Sequence, residues 1–223
     1  MADLIITIDG PAASGKSTAA RLLARKLGAS FLDTGAMYRA VTLAAMAAGV
    51  DLSDEQKLLD ITQTCRFQFS VKAGKTTVRI DNTDVTEQIR NPEVTANARY
   101  IAAAPAVREK LVQMQRQFAA DRHKIVTEGR DQGTVAFGDA DFKFFLTADS
   151  AERARRRLAD LKEKGGADNL QQIQKAIEQR DKSDESRTVG PLKPADDAIV
   201  VDTTNMSIEQ VVEKLAGHVR KNA

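Results

Sequence analysis

Residues 4–18, LIITIDGPAASGKST, constrain this chain more than any other stretch. A short apolar, β-rich run ends at Asp9, a loop with glycine at both ends follows, and from Lys16 onward apolar residues recur at helical spacing. A strand that is apolar on both faces and feeds a helix belongs to a parallel sheet covered on both sides, so the remainder of the chain has to supply more of the same. It does so with SFLD at 30–33, KIVTEG at 124–129, FKFFLT at 142–147 and AIVVD at 198–202. Between them lie helical patterns near 15–27, 36–48, 54–64, 105–121, 150–164, 169–186 and 207–221. The expectation is an α/β fold built on a parallel sheet.

One region breaks the alternation. Residues 66–90 show period-two apolar spacing at Phe67, Phe69 and Val71, then at Val78 and Ile80, with Gly74 and Asp81-Asn82 as turn signals. That pattern predicts a small antiparallel meander inserted into the core, with NPEVTANARYIAAAP forming a helix that leads back to it. No internal repeat and no low-complexity tract is visible. At 223 residues the chain can bury one sizeable core with a small appended lobe.

The loop itself, Gly10-x4-Gly15-Lys16-Ser17, has the P-loop spacing in the context that gives that spacing meaning, a strand before it and a helix after it. Its glycines let successive N–H groups curl around one centre, and the helix N-terminus adds a favourable dipole for an anion. Residues Gly10, Pro11, Ala12, Ala13, Ser14, Gly15, Lys16, Ser17 and Thr18 therefore form a candidate phosphate cradle. Lys16 neutralises the β and γ phosphates and Ser17 can ligate Mg²⁺. The expected ligand is a nucleoside triphosphate, most simply ATP.

Composition excludes several classes. A net charge of +2 is too mild for a nucleic-acid binder, which needs a concentrated basic face. The single Cys65 rules out an internal disulfide framework and a multi-cysteine zinc site, and it fits a reducing cytoplasm. The N-terminus lacks a basic segment of the signal-peptide kind, and the apolar stretch at 40–50 is too short to cross a bilayer, so a soluble protein is expected.

A P-loop alone leaves a phosphotransferase and a nucleotide-driven switch open. The guanine-reading Asn-Lys-x-Asp pattern is absent, and the loop after the third strand reads TEGRDQGT rather than Asp-x-x-Gly. Arginines, by contrast, stand where ligands bind in such sheets, near the carboxyl ends of strands. Arg39 follows the second strand, Arg130 and Asp131 follow the third, and Arg180, Asp184 and Arg187 fall at i, i+4 and i+7 on one helical face. Arginine forks suit phosphate oxygens. Arg153, Arg156 and Arg157 in ERARRRL can close over a transferring phosphate as a lid, or can be solvated i,i+4 charge pairs. A phosphate acceptor needs positioning and charge neutralisation more than a general base, because its second pKa is roughly 6. The arginine excess favours such an acceptor.

These motifs together resemble the bacterial cytidylate kinases, of the nucleoside monophosphate kinase group. The likeness runs nearly end to end through ITIDGPAASGKST, FLDTGAMYR, VTEQIR, PAVREKL, EGRDQGT, ERARRRL and RDKSDESRTVGPLKPADDAIVVDTT. It implies a five-stranded parallel P-loop core at 1–65 and 103–223 with a helical lid at about 150–168, and an inserted monophosphate-binding lobe with a small antiparallel sheet at 66–102. It also implies residue roles. Arg39, Arg130 and Arg187 become ligands of the acceptor phosphate, Thr34, Arg108 and Asp131 readers of cytosine, and Arg180 and Asp184 ribose contacts. Lys16, Arg130, Arg153 and Arg157 carry the catalytic charge. A carboxylate with an arginine complements the amino donor and the acceptors of cytosine. One departure stands out: Arg99 lies where the family usually has a serine near the sugar, and it is taken here as a substrate-binding residue.

The resulting expectation is transfer of the γ-phosphoryl group of ATP, with Mg²⁺, to CMP and also dCMP by a monomeric cytoplasmic enzyme with no nucleic-acid or membrane partner. The alternatives are a kinase of another small acceptor, such as UMP or shikimate, and a non-catalytic nucleotide-dependent switch.

Overall fold

The structure is a computed structural model that describes residues 2–72, 75–163 and 169–222. The turn signal at Gly74 and residues 164–168 of the expected lid lie outside the described residues. Five strands, β1 (Leu4–Asp9), β2 (Ser30–Asp33), β6 (Lys124–Glu128), β7 (Phe142–Thr147) and β8 (Ile199–Asp202), form a parallel sheet in the order β2-β6-β1-β7-β8. Ile6 pairs with Phe142 between β1 and β7, and Phe144 with Ile199 between β7 and β8. Every residue of β1 from Ile5 to Asp9 is buried, as its unbroken apolar run predicts. Among the described residues no helix is long and apolar enough to cross a membrane.

The chain divides into two compact units. The first, Met1–Asp3 with Ser30–Ile125, holds α2 (Thr34–Ala47), α3 (Glu55–Thr64), α4 (Pro92–Ala103) and α5 (Pro105–Ala120). It also holds an antiparallel sheet of β3 (Phe67–Lys72), β4 (Lys75–Ile80) and β5 (Thr83–Asp84). Phe69 opposes Val78 across this meander, and Asp81 and Asn82 make the β4–β5 turn with φ of 48° and 73°. Left-handed backbone at both central residues is what a tight hairpin of right-handed twist requires, and Asp and Asn tolerate it. Ala36 and Ala40 of α2 pack on Val78, Val85 and Ile89, with Phe67, Phe69 and Ile80 closing the cluster. Pro105 at the first position of α5 separates it from α4, since it cannot donate to a preceding turn, and Pro92 opens α4 in the same way.

The second unit, Leu4–Ala29 with Val126–Ala223, holds α1 (Lys16–Leu27), α6 (Ser150–Glu163), α7 (Leu170–Glu185) and α8 (Ile208–Asn222). One π-helical turn, Gln132–Ala136, follows β6. At Gly10 φ is +144°, and a Cβ there would sit 2.0 Å from the carbonyl oxygen of Leu146. Helices α6 and α7 pair through Ala154, Ile173 and Ile177, with Leu158, Leu161 and Ala13 of the phosphate loop against them.

Two expectations shift. Helix α2 begins at Thr34 rather than near 36, because the Asp33 carboxylate accepts the Ala36 N–H at 2.8 Å and caps the helix directly off the strand. Helix α7 stops at Glu185, so Arg187 lies beyond it and does not share a helical face with Arg180 and Asp184.

Candidate active site

In the second unit the strand ends and the phosphate loop bring charge together. Lys16 opens α1 and is buried; its Nζ donates to the Pro11 carbonyl at 2.5 Å and to Ser14 Oγ at 3.4 Å, folding back into its own loop. Burial pushes its pKa well below the ordinary lysine range, the positive charge of Arg130 and then of Arg180 acts the same way, and Glu128 and Asp9 oppose them. Ser17 Oγ donates to Glu128 Oε1 at 2.9 Å. Asp9, at the end of β1, accepts the backbone N–H groups of Gln132 and Gly133 at 2.9 and 2.8 Å. Burial raises its pKa to about 7 despite those two donors.

Arg130 and Asp131 follow β6 directly. Arg130 Nε donates to Asp184 Oδ2 at 2.9 Å, and Arg187 Nη2 donates to Asp184 Oδ1. One buried carboxylate thus holds two of the three arginines expected to take an acceptor phosphate. Arg180 keeps solvent contact but is crowded: partial desolvation, then the charges of Arg130, Arg187 and Arg157, lower its pKa, and Asp184 opposes them. Lys16, Arg130, Arg157, Arg180 and Arg187 therefore share one neighbourhood with fewer carboxylates than cations. Such a field attracts a polyanion.

The three arginines of ERARRRL separate in the structure. Arg157 is exposed and is felt by Arg180. Arg156 donates to the Thr203 carbonyl at 2.6 Å. Arg153 is buried, donating to Asp181 at 2.5 Å, to the Ala148 carbonyl at 2.9 Å and to the Ala12 carbonyl at 3.2 Å. Arg153, expected as a phosphate-facing lid arginine, has its fork committed to backbone and a buried carboxylate, and Ala154 and Leu158 beside it turn that face of α6 inward.

The first unit holds Thr34, buried at the start of α2, and Arg39 little more than one turn on, whose Nη2 lies 3.6 Å from Asp33 Oδ2. The Nε of Arg39 is buried with no hydrogen-bond partner among the described residues. Arg108 is buried on α5, donates to the Ala102 carbonyl at 3.3 Å and lies 5.9 Å from the centre of the Tyr38 ring. Arg99 is exposed on α4, its guanidinium 4.9 Å from the Tyr100 ring centre and donating to the Tyr100 hydroxyl at 3.2 Å.

Sequence reading missed four residues that shape the site: Asp9, Glu128, Asp181 and Thr203. For the first two a signal existed, since a carboxylate at the end of a strand of the central sheet is costly to bury unless it has a task. Asp181 and Thr203 carried none. Among the described residues no cluster of three or more His, Cys, Asp or Glu could hold a metal ion. The oxygen pair of Ser17 and Glu128 does suit Mg²⁺, which keeps several waters and takes only one or two protein ligands beside phosphate oxygens.

A family model described as Cytidylate kinase matches residues 6–221. A cytidylate kinase of Lactobacillus gasseri is 44% identical over 216 residues, covering 97% of this chain and 94% of its own. One from Limosilactobacillus reuteri is 46% identical over 219 residues, covering 98% and 96%. A solved structure from Eubacterium ventriosum, 14% identical, superposes with a TM-score of 0.51 over 98% of this chain and 99% of that one, a likeness of fold alone.

Proposed function

The chain belongs to the cytidylate kinase family, and from that premise we propose how its residues divide the transfer of the γ-phosphoryl group of ATP to CMP. The observation that carries the reading is the cation cluster around the phosphate loop, where Lys16, Arg130, Arg157, Arg180 and Arg187 have more positive charge than Asp9, Glu128, Asp131 and Asp184 balance. An oxygen of the CMP phosphate attacks the γ-phosphorus in line, and the bond from that phosphorus to the β–γ bridging oxygen breaks. CDP and ADP leave. The nucleophile is already largely a dianion near neutral pH, so the chain supplies position and countercharge rather than a base.

Lys16 leaves the Pro11 carbonyl for the β and γ phosphates, and the loop Gly10–Thr18 wraps them with its N–H groups. Ser17 and Glu128 would hold Mg²⁺, which supplies Lewis-acid charge on the phosphate oxygens when bound. Arg39, Arg130 and Arg187 neutralise the acceptor phosphate. Arg157 takes the lid role over the transferring phosphate, while Arg153 is engaged with Ala12, Ala148 and Asp181. Asp131 accepts from the cytosine amino group, Arg108 and Thr34 read the remaining edge, and Arg180, Asp184 and Arg99 address the sugar. Segment 66–102 acts as the acceptor lobe. Phosphorylation of dCMP beside CMP and a monomeric cytoplasmic enzyme acting on free nucleotides complete the reading, consistent with a net charge of +2 and one cysteine.

Coupled turnover with ATP and Mg²⁺ across CMP, dCMP, UMP, AMP and shikimate tests it. CMP and dCMP should lead UMP and AMP by at least about tenfold in kcat/KM, the scale of one good base contact. A preference for UMP, or no turnover stimulated by an acceptor, would overturn the assignment.

A further inference from the structure

Ala12, the third residue of the phosphate loop, has both of its backbone polar groups engaged from outside the loop. Its carbonyl accepts from Arg153 Nη1 at 3.2 Å, and its N–H points to Asp181 Oδ1 at 3.4 Å. The same Arg153 nitrogen donates to Asp181 Oδ2 at 2.5 Å, so one ion pair closes around one residue and holds the peptide groups on either side of it. Both side chains are nearly lost to solvent, at 8% and 11% exposed. The next residue, Ala13, sits at φ +58°, a left-handed conformation uncommon for a residue with a Cβ, and its methyl packs on the α6–α7 cluster. A loop residue held there needs its neighbours to fix it.

A buried ion pair is weak ground for stability, since well-packed apolar residues often replace one without loss. Such residues would fill the space but would supply no partner for the N–H and C=O of Ala12, both of which the pair engages. The pair therefore does something that packing cannot. Its location suggests what: Arg153 precedes Arg157 by one helical turn on α6, and Asp181 follows Arg180 directly on α7. The two helices that carry arginines of the cation cluster are bolted by the same pair to the backbone that cradles the donor phosphates.

We propose that Arg153 and Asp181 are positioning residues, a buried clamp that sets the two peptide groups flanking Ala12 in the phosphate loop and ties its donor-binding geometry to the α6–α7 hairpin. Neither touches a phosphate; both act through the loop. The inference rests on the reading that this loop binds the donor nucleotide. Preorganised N–H groups lose their advantage when displaced by a fraction of an ångström.

The test compares wild type, Arg153→Lys and the double variant Arg153→Met/Asp181→Leu, which removes the clamp without stranding a buried charge. The expected result is a KM for ATP raised at least about tenfold in the double variant and about threefold in Arg153→Lys, with the KM for CMP within about twofold of wild type. Lysine keeps the charge next to Asp181 but cannot span Asp181, Ala148 and Ala12 at once. Should the double variant fail to fold, Arg153→Lys alone decides. An unchanged ATP KM in a folded variant, or equal changes in both KM values, overturns the proposal and leaves the pair a packing feature. Lys16→Ala runs beside them: near-normal turnover in that variant would reject the donor-loop reading itself rather than the clamp.

Discussion

Asp184 plays two parts that a single substitution can separate. In the free chain its carboxylate, only 3% exposed, is the countercharge for Arg130 and Arg187, the same two arginines proposed above to take the acceptor phosphate. Replacing Asp184 with Asn leaves two mostly buried guanidinium groups facing a neutral amide. Each charge-assisted bond is worth about 1.5–3 kcal/mol and the amide oxygen retains part of one, so the free protein should lose about 2–4 kcal/mol. For a chain of this length that corresponds to a fall in Tm of about 5–15 °C. A bound phosphate dianion restores the missing countercharge. Thermal unfolding of wild type and Asp184→Asn, each with saturating dCMP and with deoxycytidine, reads the difference, because the two ligands differ only in the phosphate and neither has a 2′-hydroxyl. With deoxycytidine the deficit should persist; with dCMP it should shrink by half or more. A deficit of equal size with both ligands would refute the exchange of carboxylate for phosphate, and no deficit at all would refute the electrostatic role of Asp184.

Further expectations concern single groups. Because the pKa of Lys16 is lowered in the free chain and a triphosphate raises it again, ATP binding should take up protons and weaken as pH rises through the free-state value; calorimetry in two buffers of different ionisation enthalpy measures the uptake, and none would contradict the burial account. Asp131→Asn should cut discrimination of CMP over UMP by about 1–3 kcal/mol in the ratio of kcat/KM values, and an unchanged ratio removes Asp131 from base reading. Arg99→Ala should lower kcat/KM for CMP more than for dCMP by about 1 kcal/mol, whereas equal losses would leave Arg99 as a surface partner of Tyr100.

The parts of this molecule that sequence made legible are those where one local signal outweighs its surroundings. LIITID is apolar at nearly every position and can only be a strand with both faces covered, and Asp81-Asn82 announces a tight turn because few other pairs accept two left-handed residues. Arg130 and Arg180 were visible as charges near strand ends and on a helix. ERARRRL shows the limit. Its arginines are chemically identical, and only the packing of Ala154 and Leu158 decides that Arg153 turns inward while Arg157 stays in water. Asp181, embedded in a charged helix, was hidden for the same reason: nothing in QRDKSDE distinguishes the carboxylate that will clamp a loop from those that meet solvent. The π-helical turn at Gln132–Ala136 depends on Asp9 reaching across from another strand, a contact more than a hundred residues distant.

The two glycines that define the phosphate-loop pattern share a positive φ, but only the first also faces a steric wall. Around Gly15 a Cβ would meet nothing within 4 Å, and only its φ of +89° disfavours a side chain. At Gly10, besides its φ of +144°, the obstacle is the Leu146 carbonyl of β7, fixed by strand pairing and unable to retreat as a side chain could. Invariance at the first position in any collection of aligned relatives would thus report the spacing of β1 and β7, and would persist in a descendant that had lost all affinity for nucleotides. A pattern search that scores both glycines as marks of phosphate binding is counting the sheet as one of its votes.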